Sequence, residues 1–182
     1  MSGPRRGGSR VPDYHPDDRT NRLRVAAELV AVRKQAGLSW YSFGAKVGRA
    51  KATVQSMEER GYWTVGTLQR WARWLDHRFV WTLHLPYALA PDALADMYAA
   101  KITGTADVVD AYARAGLVND MRRAREGAGL TQKQLGERLD VSHDTICRAE
   151  RIEDNLDLAA AQRHVRGCGG WLEPRIEPLE TA

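Results

Sequence analysis

Cysteine is scarce in this chain: Cys147 and Cys168 are the only two among 182 residues. So few exclude a disulfide framework and suit a reducing compartment. No apolar run approaches the ~18 residues that a membrane span needs, so no membrane partner is expected. The N-terminus carries Arg5, Arg6 and Arg10 but no apolar segment behind them. That pattern excludes a secretory signal and points to the cytoplasm. No nucleophile–base set, phosphate-cradling glycine loop or paired-carboxylate motif emerges, so neither catalysis nor a cofactor is expected. Lysine is sparse too, 5 against 22 arginines. Arginine suits bidentate contacts to phosphate and guanine, although a GC-rich coding sequence would give the same excess.

What is present is the composition of a globular protein, 43% hydrophobic and 27% charged. The length accommodates one medium domain or two small ones of under ~100 residues. The net charge of +4 is unevenly spread. Residues 1–24 balance at +3 and 25–86 at +5, whereas 87–117 come to −2, 118–152 to +1 and 153–182 to −3. A basic first half makes a polyanion such as nucleic acid a natural partner.

The chain repeats itself. Residues 33–54 read RKQAGLSWYSFGAKVGRAKATV and residues 125–146 read REGAGLTQKQLGERLDVSHDTI. An offset of 92 aligns Arg33 with Arg125, Leu38 with Leu130, Gly44 with Gly136 and Glu58 with Glu150. Carried on without a gap, it pairs Phe79 with Trp171, Val80 with Leu172 and Pro86 with Pro178. This predicts a duplicated unit, residues 21–86 and 112–179.

Both copies share one grammar. A helix ends at Ala-Gly, and Ser39 or Thr131 then caps a helix of about two turns. Phe43 and Val47, or Leu135 and Leu139, face inward from it at i, i+4. Gly44 and Gly136 have no side chain and are expected to let a neighbouring helix approach closely. Gly48 and Asp140 stand in a turn, where both residue types tolerate positive φ. A further helix begins at Ala50 or Ser142 and buries Val54 and Met57, or Ile146 and Ala149. Two helices joined by so short a turn form a helix-turn-helix.

The run GLTQKQLGERLDVSHDTICRAE resembles the Cro/lambda-repressor-like (XRE) family at nearly every position. The first copy resembles it less closely: Trp40 stands at the position of Gln132, and Ala50 at that of the cap Ser142. Asp140 replaces the usual turn glycine in the second copy. The resemblance implies a mainly α fold of two such domains and a sequence-specific regulator of double-stranded DNA, a repressor of phage or mobile-element kind. It implies that His143, Asp144 and Arg148 face bases while Gln132, Ser142 and Thr145 bond phosphates. In the first copy the matching positions are Lys51, Ala52 and Ser56 with Gln55 beside them, and Lys46 and Arg49 are the phosphate candidates. The competing reading, an ordinary solvated helix face, is minor for the second copy and a serious rival for the first.

Leu68, Trp71, Ala72 and Leu75 lie at helical spacing, and RFVWTLHLP then alternates as a strand, with GGWLEPRIEP in the same place downstream. Extra strands of this kind resemble those of antitoxin-type members of the family, which pair across a dimer. Here they are expected to pair within one chain as a two-stranded sheet, making a monomer that imitates a dimer; further dimerisation stays open. Pro174 must then keep its nitrogen at an edge. Residues 87–111 read as a helical connector, with helices over PDALADMYAAK and, after Gly104 and a capping Thr105, over ADVVDAYARA. Residues 1–20 read as a basic arm disordered on its own. His143 with Cys147 and His164 with Cys168 have the i, i+4 spacing of metal ligands, but core packing explains the second pair better and no metal is expected. The alternative function is an antitoxin-like or adaptor protein that binds a protein partner and regulates its own synthesis through DNA.

Overall fold

The computed structural model describes residues 15–93, 106–151 and 156–179. Residues 1–14 of the arm, and 94–105 with most of the first connector helix, lie outside that range. Eight helices and one two-stranded antiparallel sheet make up the described chain. The first unit holds α1 (Pro16–Gln35), α2 (Trp40–Val47), α3 (Lys51–Arg60), α4 (Val65–Arg73) and β1 (His77–His84). The second holds α5 (Ala106–Gly127), α6 (Gln132–Arg138), α7 (His143–Ala149), α8 (Leu158–Gly167) and β2 (Trp171–Pro178).

Two boundaries differ from the sequence reading. Helix α1 starts inside the supposed arm: His15 accepts from the Asp17 N–H, Pro16 occupies the first turn, and Asp17 and Asp18 complement the positive end of the helix. Helix α5 runs unbroken across the expected connector boundary at residues 111 and 112. A single internal glycine, Gly116, costs a helix only about 1 kcal/mol. Burial of Ala115, Leu117, Val118 and Met121 offsets that cost.

The caps follow the expected grammar. Ser39, Thr131 and Ser142 each accept a backbone N–H three residues on, and Ala50 has no such bond to offer. The turn residues Gly48 and Asp140 adopt φ of 66° and 52°. At Gly44 a methyl group would sit 2.5 Å from the Arg49 carbonyl oxygen, and at Gly136 3.0 Å from that of Val141. It is therefore the turn itself, rather than a neighbouring helix, that these glycines admit.

One hydrophobic core runs through both units. It joins Val25, Leu29, Phe43, Trp63, Leu68, Trp71 and Phe79 to Leu117, Met121, Leu158, Val165 and Leu172. Trp71 meets Phe43 and Trp63 edge-on, with ring centres 5.2 and 4.7 Å apart. A smaller cluster of Ala124, Leu135, Ile146 and Cys168 supports α6 and α7.

The strands pair within the chain, from His77 opposite Pro178 to His84 opposite Trp171. Pro174 lies opposite Trp81, and its carbonyl accepts from Arg24 Nη2 of α1 at 2.6 Å. Helix α1 thus covers that edge of β2, which an unpaired strand would otherwise leave open. The gapless offset of 92 fails beyond α3. Phe79 is 5% exposed and Trp171 is 43% exposed, so they face opposite ways. The buried Leu172 is the true counterpart of Phe79, an offset of 93, because a one-residue slip in a strand swaps its faces. The cap residues Thr64 and Asp157 show the same offset. The extra residue lies between Glu150 and Asp157, one position longer than the stretch from Glu58 to Thr64.

That corrected register exposes a two-fold relation. Val65 N–H donates to Leu156 O at 2.8 Å, and Leu158 N–H to Trp63 O at 2.9 Å. On one side of this bridge Arg166 Nη2 of α8 contacts Asp18 Oδ1 of α1 at 3.0 Å, and Arg22 Nη1 donates to Gln162 Oε1 at 2.6 Å. On the other side Arg73 of α4 pairs with Asp110 of α5, and Arg114 Nη1 donates to Gln69 Oε1 at 2.9 Å. The two sets are the same contact made twice, with the roles of the units exchanged.

Candidate nucleic-acid interface

The sequence places most of its candidate residues on α3 and α7, the helices least engaged with the core. Each buries one residue fully among its apolar positions, Val54 and Ile146. Lys46, Arg49, Lys51 and Ala52 are exposed in the first unit, with Gln55 and Ser56 half-buried. Ser142, His143, Asp144 and Arg148 are exposed in the second, with Gln132 and Thr145 half-buried. In each unit the structure brings them together along one short helix and the end or beginning of the helix before it. Lys46, Arg49 and Arg148 form no ion pair with another described residue. The Gln55 amide donates to Glu59 at 2.9 Å, so it must leave that partner to contact anything else.

Beneath each surface lies a buried arginine–carboxylate pair. Arg33 Nε donates to Glu58 Oε1 at 2.7 Å, and Arg125 Nε to Glu150 Oε1 at 2.7 Å. Each arginine also donates to a backbone carbonyl in the loop before the next helix, Leu38 O at 2.5 Å and Leu130 O at 2.8 Å. One guanidinium thereby ties three elements: the first helix, the following loop and the far end of α3 or α7. A third donor completes each cluster. Gln132 Nε2 donates to Glu150 Oε2 at 2.8 Å, and Trp40 Nε1 to Glu58 Oε2 at 2.7 Å. The Arg and Glu positions already match at the offset of 92, with opposite charges and equal separation in both copies. That pairing was the signal that could have revealed them.

The clusters diverge in what surrounds them. In the second unit His164 is 1% exposed; its Nε2 lies 3.1 Å from Met121 O and 3.4 Å from Glu150 Oε1. Burial holds the imidazole pKa below its ordinary value despite the attraction of Glu150. Burial alone would raise the Glu150 carboxyl, but hydrogen bonds from Arg125 and Gln132, with nearby positive charge, carry it below the usual range. On the outer side Gln132 Oε1 accepts from the Cys147 thiol at 3.2 Å, and Cys147 lies 3.3 Å from His143 Nε2. In the first unit Trp71 fills the position of His164, and two cations lie over the Trp40 ring, Arg33 at 5.8 Å and Lys51 at 6.0 Å from its centre. Tyr41, which the sequence reading passed over, is 77% exposed beside it.

Cys168 is buried, its thiol donates to His164 O at 3.2 Å, and burial pushes its pKa up to about 12. It shares no site with the exposed His143 and half-buried Cys147. Among the described residues no three His, Cys, Asp or Glu side chains converge to hold a metal ion. No described helix is long and apolar enough to cross a membrane. Hydroxyls, amides and unpaired cations on and beside exposed helices are groups that hydrogen-bond phosphate oxygens and base edges. No family model, curated protein or solved structure matches the chain.

Proposed function

We propose that this chain is a sequence-specific regulator of transcription, a repressor, that binds double-stranded DNA with two helix-turn-helix units of the Cro/lambda-repressor-like kind. The observation that carries this reading is the equivalence of α3 and α7: two exposed helices, each pinned from behind by the same arginine–glutamate cluster. The two-fold relation between the units supports it further, because a duplex offers two half-sites related by a similar axis.

In this reading α2 and α6 lie along the backbone, where Lys46, Arg49, Gln132, Ser142 and Thr145 contact phosphates. Lys51, Ala52, Gln55 and Ser56 meet one half-site, and His143, Asp144 and Arg148 the other. The two sets differ in chemistry, so the operator is asymmetric. Bound there, the protein obstructs polymerase.

The test is binding to genomic fragments over a series of salt concentrations. Selection of particular fragments is expected, with log affinity falling by about 0.9 per neutralised phosphate for each decade of salt. Absence of both selection and salt dependence would remove DNA as the partner. Co-purification of a protein partner in that case would favour the adaptor alternative.

A further inference from the structure

We infer that the surface joining the two units is self-complementary, and that a second copy of this chain is a cognate partner for it: two chains can exchange units through it. This stands apart from what α3 and α7 contact.

The argument rests on which residues each unit contributes. The first presents Asp18 and Arg22 on α1, and Gln69 and Arg73 on α4. The second presents Asp110 and Arg114 on α5, and Gln162 and Arg166 on α8. Asp-x3-Arg on one helix meets Gln-x3-Arg on the other unit's helix, on both sides of the bridge between Thr64 and Asp157. Each unit therefore carries both halves of the contact, which is the defining property of a two-fold, isologous interface. Asp18, Arg22, Gln69 and Gln162 are all under 5% exposed, so a unit without its complement would strand buried polar groups. The match is nearly complete: Gln69 Nε2 donates to Asp110 O at 3.1 Å, whereas Gln162 Nε2 has no partner among the described residues.

Nothing in these contacts requires both units to belong to one chain. The first unit of one copy fits the second unit of another with the same pairs. The covalent link favours internal closure by raising the local concentration of one unit near the other. Weakening internal closure, while leaving an external partner complementary, reverses that preference.

Two single variants do this. In Arg73→Asp a carboxylate faces Asp110, and in Asp110→Arg a guanidinium faces Arg73. Each chain opposes its own closure. Mixed together, the new carboxylate of one chain meets the new guanidinium of the other, and the second junction keeps its original pair. The two variants, unfolded and refolded together, are expected to give a one-to-one complex of twice the wild-type mass in light scattering. The chain carrying both substitutions is expected to return to the wild-type mass. Dimers of either single variant, formed through like units, would also support the inference. Should a single variant fail to fold alone, recovery of helical circular dichroism only in the mixture carries the same meaning. If the mixture never exceeds the wild-type mass or regains no fold, while the double variant folds as the wild type does, the inference is overturned.

Discussion

Trp40 donates its indole N–H to Glu58 Oε2 at 2.7 Å, the bond that Gln132 makes to Glu150 in the other unit. Two unlike side chains thus answer one demand, a third donor for a buried carboxylate. Trp40→Gln should therefore be tolerated, whereas Trp40→Phe leaves Glu58 short of a donor and should cost about 1–3 kcal/mol. Urea denaturation of the two variants checks this; equal losses would show that the ring's packing matters and its N–H does not.

Ala50 starts α3 without a side-chain cap, where Ser142 caps α7 through the Thr145 N–H at 3.2 Å. Ala50→Ser should supply the missing acceptor and stabilise the protein by about 1 kcal/mol. A higher urea midpoint with an unchanged denaturant slope is the expected result. No shift would mean that water already satisfies that end of the helix.

The strands, the caps and the turns are legible in the sequence because each depends on local chemistry. Ser39, Thr131 and Ser142 cap as read, and Gly48 and Asp140 turn as read. The slip of register was not legible. Pro86 and Pro178 align at the offset of 92, and only the burial of Leu172 against the exposure of Trp171 shows that the alignment has moved by one. The junction was also hidden. Asp18 falls in a segment that reads as a disordered arm, and Asp110, though expected in a helix, falls in one that reads as a connector, so neither belongs to a repeated unit by sequence and their equivalence stays hidden until α1 extends to Pro16 and α5 runs on past residue 111. For the candidate interface, the surface residues come from the family resemblance, and the structure leaves each of them exposed or half-buried. The buried pairs beneath them are harder to read: each joins residues 25 apart, and only the recurrence of that separation with opposite charges in both copies signals them.

His164 is held neutral by burial, so its folded-state pKa lies below the unfolded value of about 6.5. Between those two values the unfolded chain binds more protons, and stability falls as the pH drops. The decline should begin near pH 6.5 and level off below the folded-state pKa. Chemical denaturation of the wild type between about pH 7 and 5 should show it, and His164→Gln should flatten that part of the profile. An unaltered profile in the variant would place the titration elsewhere.

Arg148 is exposed and has no ion-pair partner among the described residues. If it donates to a guanine edge, Arg148→Ala should lose about 1–3 kcal/mol of discrimination at one base pair. Equal losses on specific and random DNA would identify a phosphate contact instead. Footprinting should return two unlike half-sites about one helical turn, ~34 Å, apart. A perfect inverted repeat would contradict the reading of unlike helices.

In a homodimer every substitution is written on both sides of the axis, so a change must be acceptable in two copies at once. Here each equivalent position has two separate codons. Trp71 and His164 occupy one such position: one completes an aromatic core with Phe43 and Trp63, the other joins a polar cluster with Glu150. Neither residue would serve in the other's surroundings. With separate codons neither half must accept a change that suits the other: the interiors differ at this position, while the junction repeats the same Asp, Arg and Gln side chains on both sides.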